Sequence, residues 1–327
     1  MRITILGAGS WGTALSCLLI HNGHEVSLWS WKVIQVEELR QNRENSLLPG
    51  IRLPEELRIS NDYALAEGAE MVIFAVPSGA IKQVAEAAAP YIPAEAILVN
   101  VAKGFFPGTL QRLSQVLAEV FPAHPILTLS GPSHAEEAAR ELPTAVVIAG
   151  NDLALLQKAQ AVFMNEFFRV YPNTAQIGVE VGGAVKNIIA LGAGVLDGWQ
   201  QGDNAKAALM TRGLVEIKRL GVAMGAEAET FSGLAGMGDL IVTCTSVHSR
   251  NYRAGQEIGK GRSLQEVLDS TQMVVEGVYA AETTYKLAQR HHVEMPITEQ
   301  IYKLLYENVT PQEAMRTLFN RDRRIRE

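Results

Sequence analysis

Lys186 is the ionisable side chain in an otherwise apolar and glycine-rich run, Val181 to Gly194, with only Asn187 as polar company. A lysine on an apolar helix is partly desolvated, which disfavours its charged form and brings its proton exchange toward neutral pH. The plainer alternative is a lysine that snorkels its head to water. Its place in mid-run, with Asn187 beside it as a hydrogen-bonding neighbour, points to chemistry instead. Further on, Ser249-Arg250-Asn251 supplies a guanidinium suited to bidentate grip on a phosphate, or to a surface salt bridge. Asp239, in Gly236-Met237-Gly238-Asp239-Leu240, can orient a lysine, accept from a hydroxyl or cap a helix. Lys103 follows the apolar run Ile97 to Val101, and Gly131 and Ser133 follow the run Ile126 to Leu129. Ser133 is placed either to donate to a ligand oxygen or to cap the next helix.

Those residues need elements to hold them. Ile3 to Leu6 reads as a buried strand, Thr13 to His21 as a helix, and between them Gly7, Gly9 and Gly12 have G-x-G-x-x-G spacing. In that context Gly7 allows the tight turn, Gly9 lets backbone approach a pyrophosphate, and Gly12 lets helix pack on strand. The helix start offers N–H groups and a positive dipole end to phosphates. Strand-like runs recur at 26–29, 59, 71–76, 97–101, 126–129, 144–148 and 167–170, with helical patterns at 63–67, 81–89, 110–120 and 153–163. The stretch from Ser30 to Leu57 is polar and reads as loop. This alternation predicts an α/β fold with a doubly wound parallel sheet of Rossmann type over residues 1–176. From Ile177 strand signal stops, and residues 177–327 read as an all-helical domain whose internal glycines let helices approach closely. Ligands in such sheets sit at the carboxyl ends of the strands, where Lys103, Gly131 and Ser133 fall.

An NAD site ordinarily places an acid about 20 residues beyond the glycines, at the end of the second strand. Here that position reads Trp29-Ser30-Trp31-Lys32. Ser30 and Lys32 suit a 2′-phosphate, so NADP(H) is favoured and NAD(H) stays as the alternative. Glu276, after the apolar pair Val274-Val275, is either a helix cap or a contact for the nicotinamide end.

The totals narrow the class. A chain of 327 residues suggests two domains, and 47% apolar with 20% charged residues is ordinary globular composition. A net charge of −6 argues against a nucleic-acid or anionic-membrane surface. Cys17 and Cys244 lie far apart, with no disulfide or metal spacing, and fit a structural role in a reducing cytoplasm. The first residues read as a strand and not as a signal peptide. The apolar run Val181 to Leu196 falls short of the about 20 residues a membrane span needs and is expected to be a buried helix.

Taken together the motifs resemble the bacterial NAD(P)-dependent glycerol-3-phosphate dehydrogenases. The resemblance runs through Gly7 to Gly12, Ala75-Val76-Pro77-Ser78, Lys103-Gly104, Ser130 to Ser133, Lys186-Asn187, Gly236 to Leu240, Ser249 to Asn251, Val274 to Gly277 and Glu294-Met295-Pro296-Ile297. It implies reversible reduction of dihydroxyacetone phosphate to sn-glycerol 3-phosphate for phospholipid synthesis. It also implies a helical domain like the C-terminal one of 6-phosphogluconate dehydrogenase, and a homodimer. By the same resemblance Gly7, Gly9, Ser10, Trp11, Gly12, Lys32, Lys103, Ala135, Arg250, Val274 and Glu276 would contact cofactor. Lys103, Gly131, Ser133, Lys186, Asp239, Ser249, Arg250 and Asn251 would hold substrate, with Lys186 the proton donor and acceptor and no metal. The family usually has an arginine where this chain has Trp31, which leaves Lys32 to grip a 2′-phosphate. Two other readings fit the residues alone: a related dehydrogenase of hydroxy acids or phosphosugars, and a non-catalytic NADP(H) sensor.

Overall fold

The computed structural model describes residues 1–271 and 273–320. Contacts divide the chain into two compact units, Met1–Glu180 and Val181–Glu327. The division falls inside a helix, a few residues beyond the 176/177 boundary read from the sequence.

The first unit is built on ten strands: β1 (Arg2–Leu6), β2 (Glu25–Trp29), β3 (Glu44–Asn45), β4 (Leu48–Arg52), β5 (Arg58–Ser60), β6 (Met71–Phe74), β7 (Ile97–Asn100), β8 (Ile126–Ser130), β9 (Thr144–Ala149) and β10 (Phe168–Asn173). Its helices are α1 (Ser10–His21), α2 (Val33–Asn42), α3 (Ile81–Ala88), α4 (Leu113–Val120), α5 (Ala135–Ala138) and α6 (Leu153–Phe163). Eight strands form one sheet in the order β10-β9-β8-β7-β6-β1-β2-β5, and β3 and β4 make a separate hairpin. The run β5-β2-β1-β6-β7-β8 is the doubly wound nucleotide-binding order, with the switch point between β1 and β6.

The pleat sorts the apolar residues. Met71, Ile73, Ile97 and Val99 enter one core with Ile3, Ile5, Leu15 and Leu19. Val72, Phe74 and Leu98 enter the other with Ile81, Val84, Ala85, Val116 and Leu117. Both faces are covered, so β6 and β7 read as unbroken apolar runs.

Two features depart from the sequence expectation. β9 pairs antiparallel to β8, whereas β9 and β10 pair parallel, so the large sheet is not wholly parallel. The β8–β9 connection holds only the four-residue helix α5, while α6 supplies a full crossover between β9 and β10. The polar stretch after β2 is α2 followed by the β3–β4 hairpin; α2 buries only Val36 and Leu39, too thin a stripe to read in advance.

The second unit, together with its entering helix, comprises α7 (Gln176–Gly198), α8 (Gly202–Ala223), α9 (Asp239–Thr245), α10 (Arg250–Gly259), α11 (Leu264–Asp269), α12 (Glu276–Arg290), α13 (Pro296–Tyr306) and α14 (Pro311–Phe319). Among the described residues it carries no strand. The helix α7 has 23 residues, so the expectation that its run was too short to span a bilayer was wrong. Burial settles the matter differently: 94% of its most apolar window lies inside the fold.

Close helix packing rests on small residues. A Cβ at Gly194 or Gly198 of α7 would collide with the backbone of Tyr252 or Gln256 in α10. A Cβ at Gly255 or Gly259 of α10 would strike Leu191 or Val195 in return. The two i, i+4 glycine pairs set α7 and α10 nearly in backbone contact, which fixes what each helix presents to the other.

Two buried glutamates satisfy helix starts from a distance. Glu180 accepts from Ser114 N at 2.9 Å, Ser114 Oγ at 2.7 Å and Arg112 Nη1 at 2.6 Å. Glu216 of α8 accepts from Ile297 N at 2.7 Å, Thr298 N at 3.1 Å and Thr298 Oγ1 at 3.0 Å. Burial pushes the Glu216 carboxyl up to about 7, against 4.5 for an ordinary glutamate, and the N–H donors recover only part of that. A carboxyl held protonated in the fold while it ionises in the unfolded chain costs stability as pH rises between those two values. Relative to Glu216→Gln, which cannot ionise in either state, the wild type should lose about 3 kcal/mol from pH 4.5 to 7. Urea midpoints across that range test it; a pH-independent difference between the two proteins would overturn the assignment.

Candidate active site

In the first unit the β1–α1 loop separates the roles of its three glycines. Gly7 sits at φ +125°, and a Cβ there would meet Ala75 O at 2.5 Å. A Cβ at Gly12 would collide with the Gly7 carbonyl. The fold itself therefore requires both. Gly9 has ordinary extended backbone, and among the described residues nothing lies within 4 Å of where its Cβ would stand. Packing gives no reason for that glycine, whereas close approach of a pyrophosphate does. Gly9 also caps α1 without a side chain, leaving the first-turn N–H groups of Ser10, Trp11 and Gly12 to an anion.

Ser10 is buried, and the Trp11 ring tilts toward Phe168 at 6.5 Å between centroids. Trp11 also packs against a small cluster holding Ala135, so these two expected cofactor contacts do come together. At the end of β2, Ser30 is 2% exposed and its hydroxyl donates to Gln35 Oε1 at 2.6 Å. That commitment removes Ser30 from service as a phosphate ligand. Lys32 is exposed, with Nζ 5.2 Å from the centroid of the exposed Trp31 ring.

Lys103, Gly131 and Ser133 form one cluster. Lys103 Nζ donates to Gly131 O at 2.7 Å and to Ser133 Oγ at 3.2 Å, and Ser133 Oγ donates to Gly131 O at 2.9 Å. Ser133 is not a helix cap, since α5 is entered through His134. Gly131, at φ +134°, lies directly on Val146 of β9.

In the second unit the apolar helix α7 presents Lys186 to α9. Lys186 Nζ stands 2.7 Å from Asp239 Oδ1 and donates to Thr243 Oγ1 at 2.6 Å. Lys186 is 4% and Asp239 1% exposed. Each charge would be costly alone at that depth; the pair offsets the two desolvation penalties. Thr243 in turn donates to Asp239 O at 2.5 Å. The π-helical turn Leu234–Gly238 delivers Asp239 to this place. A Cβ at Gly182 of α7 would meet Ala235 O of that turn at 2.5 Å. Sequence reasoning missed Thr243. Its signal is its position one turn after Asp239, on the same face of α9.

Asn187 joins Asn251, whose Nδ2 donates to Asn187 Oδ1 at 2.9 Å, while Asn251 Oδ1 accepts from Gly277 N at 2.8 Å. This chain links α7, α10 and the start of α12. Ser249 caps α10 by accepting from Tyr252 N at 3.2 Å. Arg250, exposed at the first position of α10, reaches Val274 O at 3.4 Å, two residues before the half-buried Glu276. Burial pushes the Cys244 thiol up to about 12 and that of Cys17 up to about 11, so neither is a thiolate at neutral pH. Among the described residues no three His, Cys, Asp or Glu side chains cluster to hold a metal ion.

A doubly wound unit with a glycine loop open to a pyrophosphate, in one chain with a helical unit holding a buried lysine, defines a two-domain nicotinamide-dependent dehydrogenase. Comparison with known proteins makes the class particular. Residues 2–156 match the N-terminal model, and residues 176–316 the C-terminal model, of the NAD-dependent glycerol-3-phosphate dehydrogenases. The chain belongs to that family. It is 51% identical over 325 residues to glycerol-3-phosphate dehydrogenase [NAD(P)+] of Pelotomaculum thermopropionicum, covering 98% of this chain and 93% of that one. It is 50% identical over 328 residues to the protein of the same name in Geobacillus thermodenitrificans, covering 99% and 96%. The crystal structure of glycerol-3-phosphate dehydrogenase from Coxiella burnetii superposes with a TM-score of 0.95 at 40% identity, over 98% of this chain and 99% of that one.

Proposed function

We propose that this chain interconverts dihydroxyacetone phosphate and sn-glycerol 3-phosphate, with NADPH preferred over NADH and Lys186 as proton donor and acceptor. The observation that carries the reading is the buried Lys186–Asp239–Thr243 cluster in a chain of this family. The nicotinamide supplies or takes up the hydride when bound. As hydride reaches the carbonyl carbon, negative charge grows on the oxygen; the Lys186 ammonium stabilises it and delivers the proton. In reverse, the neutral amine takes the hydroxyl proton. Asp239 and Thr243 fix the direction in which Nζ points. Lys103, Gly131 and Ser133 of the first unit, and Asp239, Ser249 and Asn251 of the second, are the residues assigned to the substrate on the family resemblance. The Asn187–Asn251–Gly277 chain supports the presentation of Arg250 to the phosphate. Absence of a carboxylate after β2, with Lys32 in its place, supports the NADPH preference. A homodimer in the cytoplasm completes the reading.

Nicotinamide absorbance with purified protein and dihydroxyacetone phosphate tests the proposal. Oxidation of NADPH with higher kcat/KM than NADH is expected; equal values would remove the preference, and no oxidation would remove the function. In the same assay Arg250→Ala should raise KM for dihydroxyacetone phosphate about ten- to one-hundred-fold, the worth of a charge-assisted phosphate contact, with a smaller change in kcat. An unchanged KM would take Arg250 off the phosphate.

A further inference from the structure

The middle residue of the glycine loop, Ala8, has its carbonyl held twice. Gln35 Nε2 donates to Ala8 O at 2.9 Å and Asn45 Nδ2 donates to it at 3.0 Å. Both amides are fixed from behind. Asn45 is 1% exposed; its Nδ2 also donates to Thr13 Oγ1 in the first turn of α1 at 2.7 Å, and its Oδ1 accepts from Leu47 N at 3.0 Å. Gln35 Oε1 accepts from Ser30 Oγ at 2.6 Å. The two donors come from the segment between β2 and β4, which the glycine motif does not include.

Carbonyl and following N–H point in opposite directions across a trans peptide, and the described residues contain no cis bond. Fixing Ala8 O toward Gln35 and Asn45 therefore turns the Gly9 N–H the other way. That is the residue whose missing Cβ leaves room on the loop, beside the capless start of α1. Without the two amides the Ala8–Gly9 peptide is free to rotate, and a glycine on one side gives it little resistance.

We propose that Gln35 and Asn45 are positioning residues for the cofactor pyrophosphate, acting through the Ala8 carbonyl to aim the Gly9 N–H at it. The inference rests on the reading of this loop as the dinucleotide site. Because the pyrophosphate is common to both nicotinamide cofactors, the effect is independent of the choice between NADPH and NADH.

The test uses Asn45→Asp and the half-buried Gln35→Glu, each of which keeps shape and loses the N–H donor. Binding of ADP-ribose, NADH and NADPH is measured by calorimetry, with kcat and KM for dihydroxyacetone phosphate at saturating cofactor. Each variant should raise Kd for all three ligands alike, by about ten-fold, and leave kcat and substrate KM within about two-fold. ADP-ribose affinity should recover as pH falls toward 5, because a protonated carboxyl again donates to Ala8 O. Unchanged Kd values in both variants, with the wild type binding, would overturn the inference alone. So would a rise confined to NADPH, or a fall in kcat in step with a lower melting temperature of the unliganded protein. A wild type that binds no ADP-ribose would overturn the dinucleotide reading and this inference with it.

Discussion

Lys186→Ala is expected to lower kcat by roughly 10²- to 10⁴-fold, the usual worth of a positioned general acid, while Kd for NADPH stays near the wild-type value. The side chain is 4% exposed and held by Asp239 and Thr243, so no surface lysine substitutes for it. Truncation also leaves a pocket of ammonium size beside a carboxylate. Added methylammonium should therefore restore part of the lost rate to the alanine variant, and little to Lys186→Met, whose side chain fills the space. That contrast separates a missing proton donor from a damaged fold. A near-wild-type kcat in the alanine variant would remove Lys186 from the mechanism.

Asp239→Ala is expected to destabilise the protein by about 3–5 kcal/mol, the cost of leaving a buried charge without its partner. The lysine then stands in the apolar surroundings of α7 with Thr243 still in place. If the loss comes from the stranded ammonium, the double variant Lys186→Met with Asp239→Leu should regain most of the stability and none of the activity. Urea midpoints and kcat together decide it. A single variant as stable as the wild type would show that the pair contributes no electrostatic support to the fold.

Much of this was legible in the residues, and the reasons differ by element. The central strands β6 and β7 announce themselves because both sheet faces are covered, leaving Met71 to Phe74 and Ile97 to Val99 apolar without interruption. The helix α6 runs from Leu153 to Phe163 as expected, and Asp152, which the sequence reading did not single out, caps it by accepting from Ala154 and Leu155. By contrast α2 buries two side chains only and looks like loop, and nothing local marks β9 as reversed. Lys186 stands out because a charge in an apolar run has few uses. Its partner Thr243 does not, since threonine is unremarkable on any short helix. Gln35 and Asn45 were invisible for another reason: they act on a backbone carbonyl, and backbone groups leave no trace in composition. The sequence singles out Arg250 and Glu276 without deciding their roles, because charges near helix starts have many ordinary explanations.

The placing of β1 has a consequence for the order in which this chain acquires structure. Gly7 N–H donates to Trp29 O, and Gly7 itself lies against Ala75, whose own N–H donates to Leu6 O. Ile3 of β1 is in register with Met71 of β6. β1 therefore finds its β2 partner early, across a short stretch of chain, and waits for its other neighbour. Parallel pairings across long stretches of chain form slowly, because loop closure precedes the contacts that reward it. Until residues 71–75 emerge, one edge of β1 stays unpaired and exposed to other nascent chains. A strand made before β2 and β6 is thus completed only when residues 71–75 join it, and the Gly7 turn, which leans on Ala75, is finished in the same step.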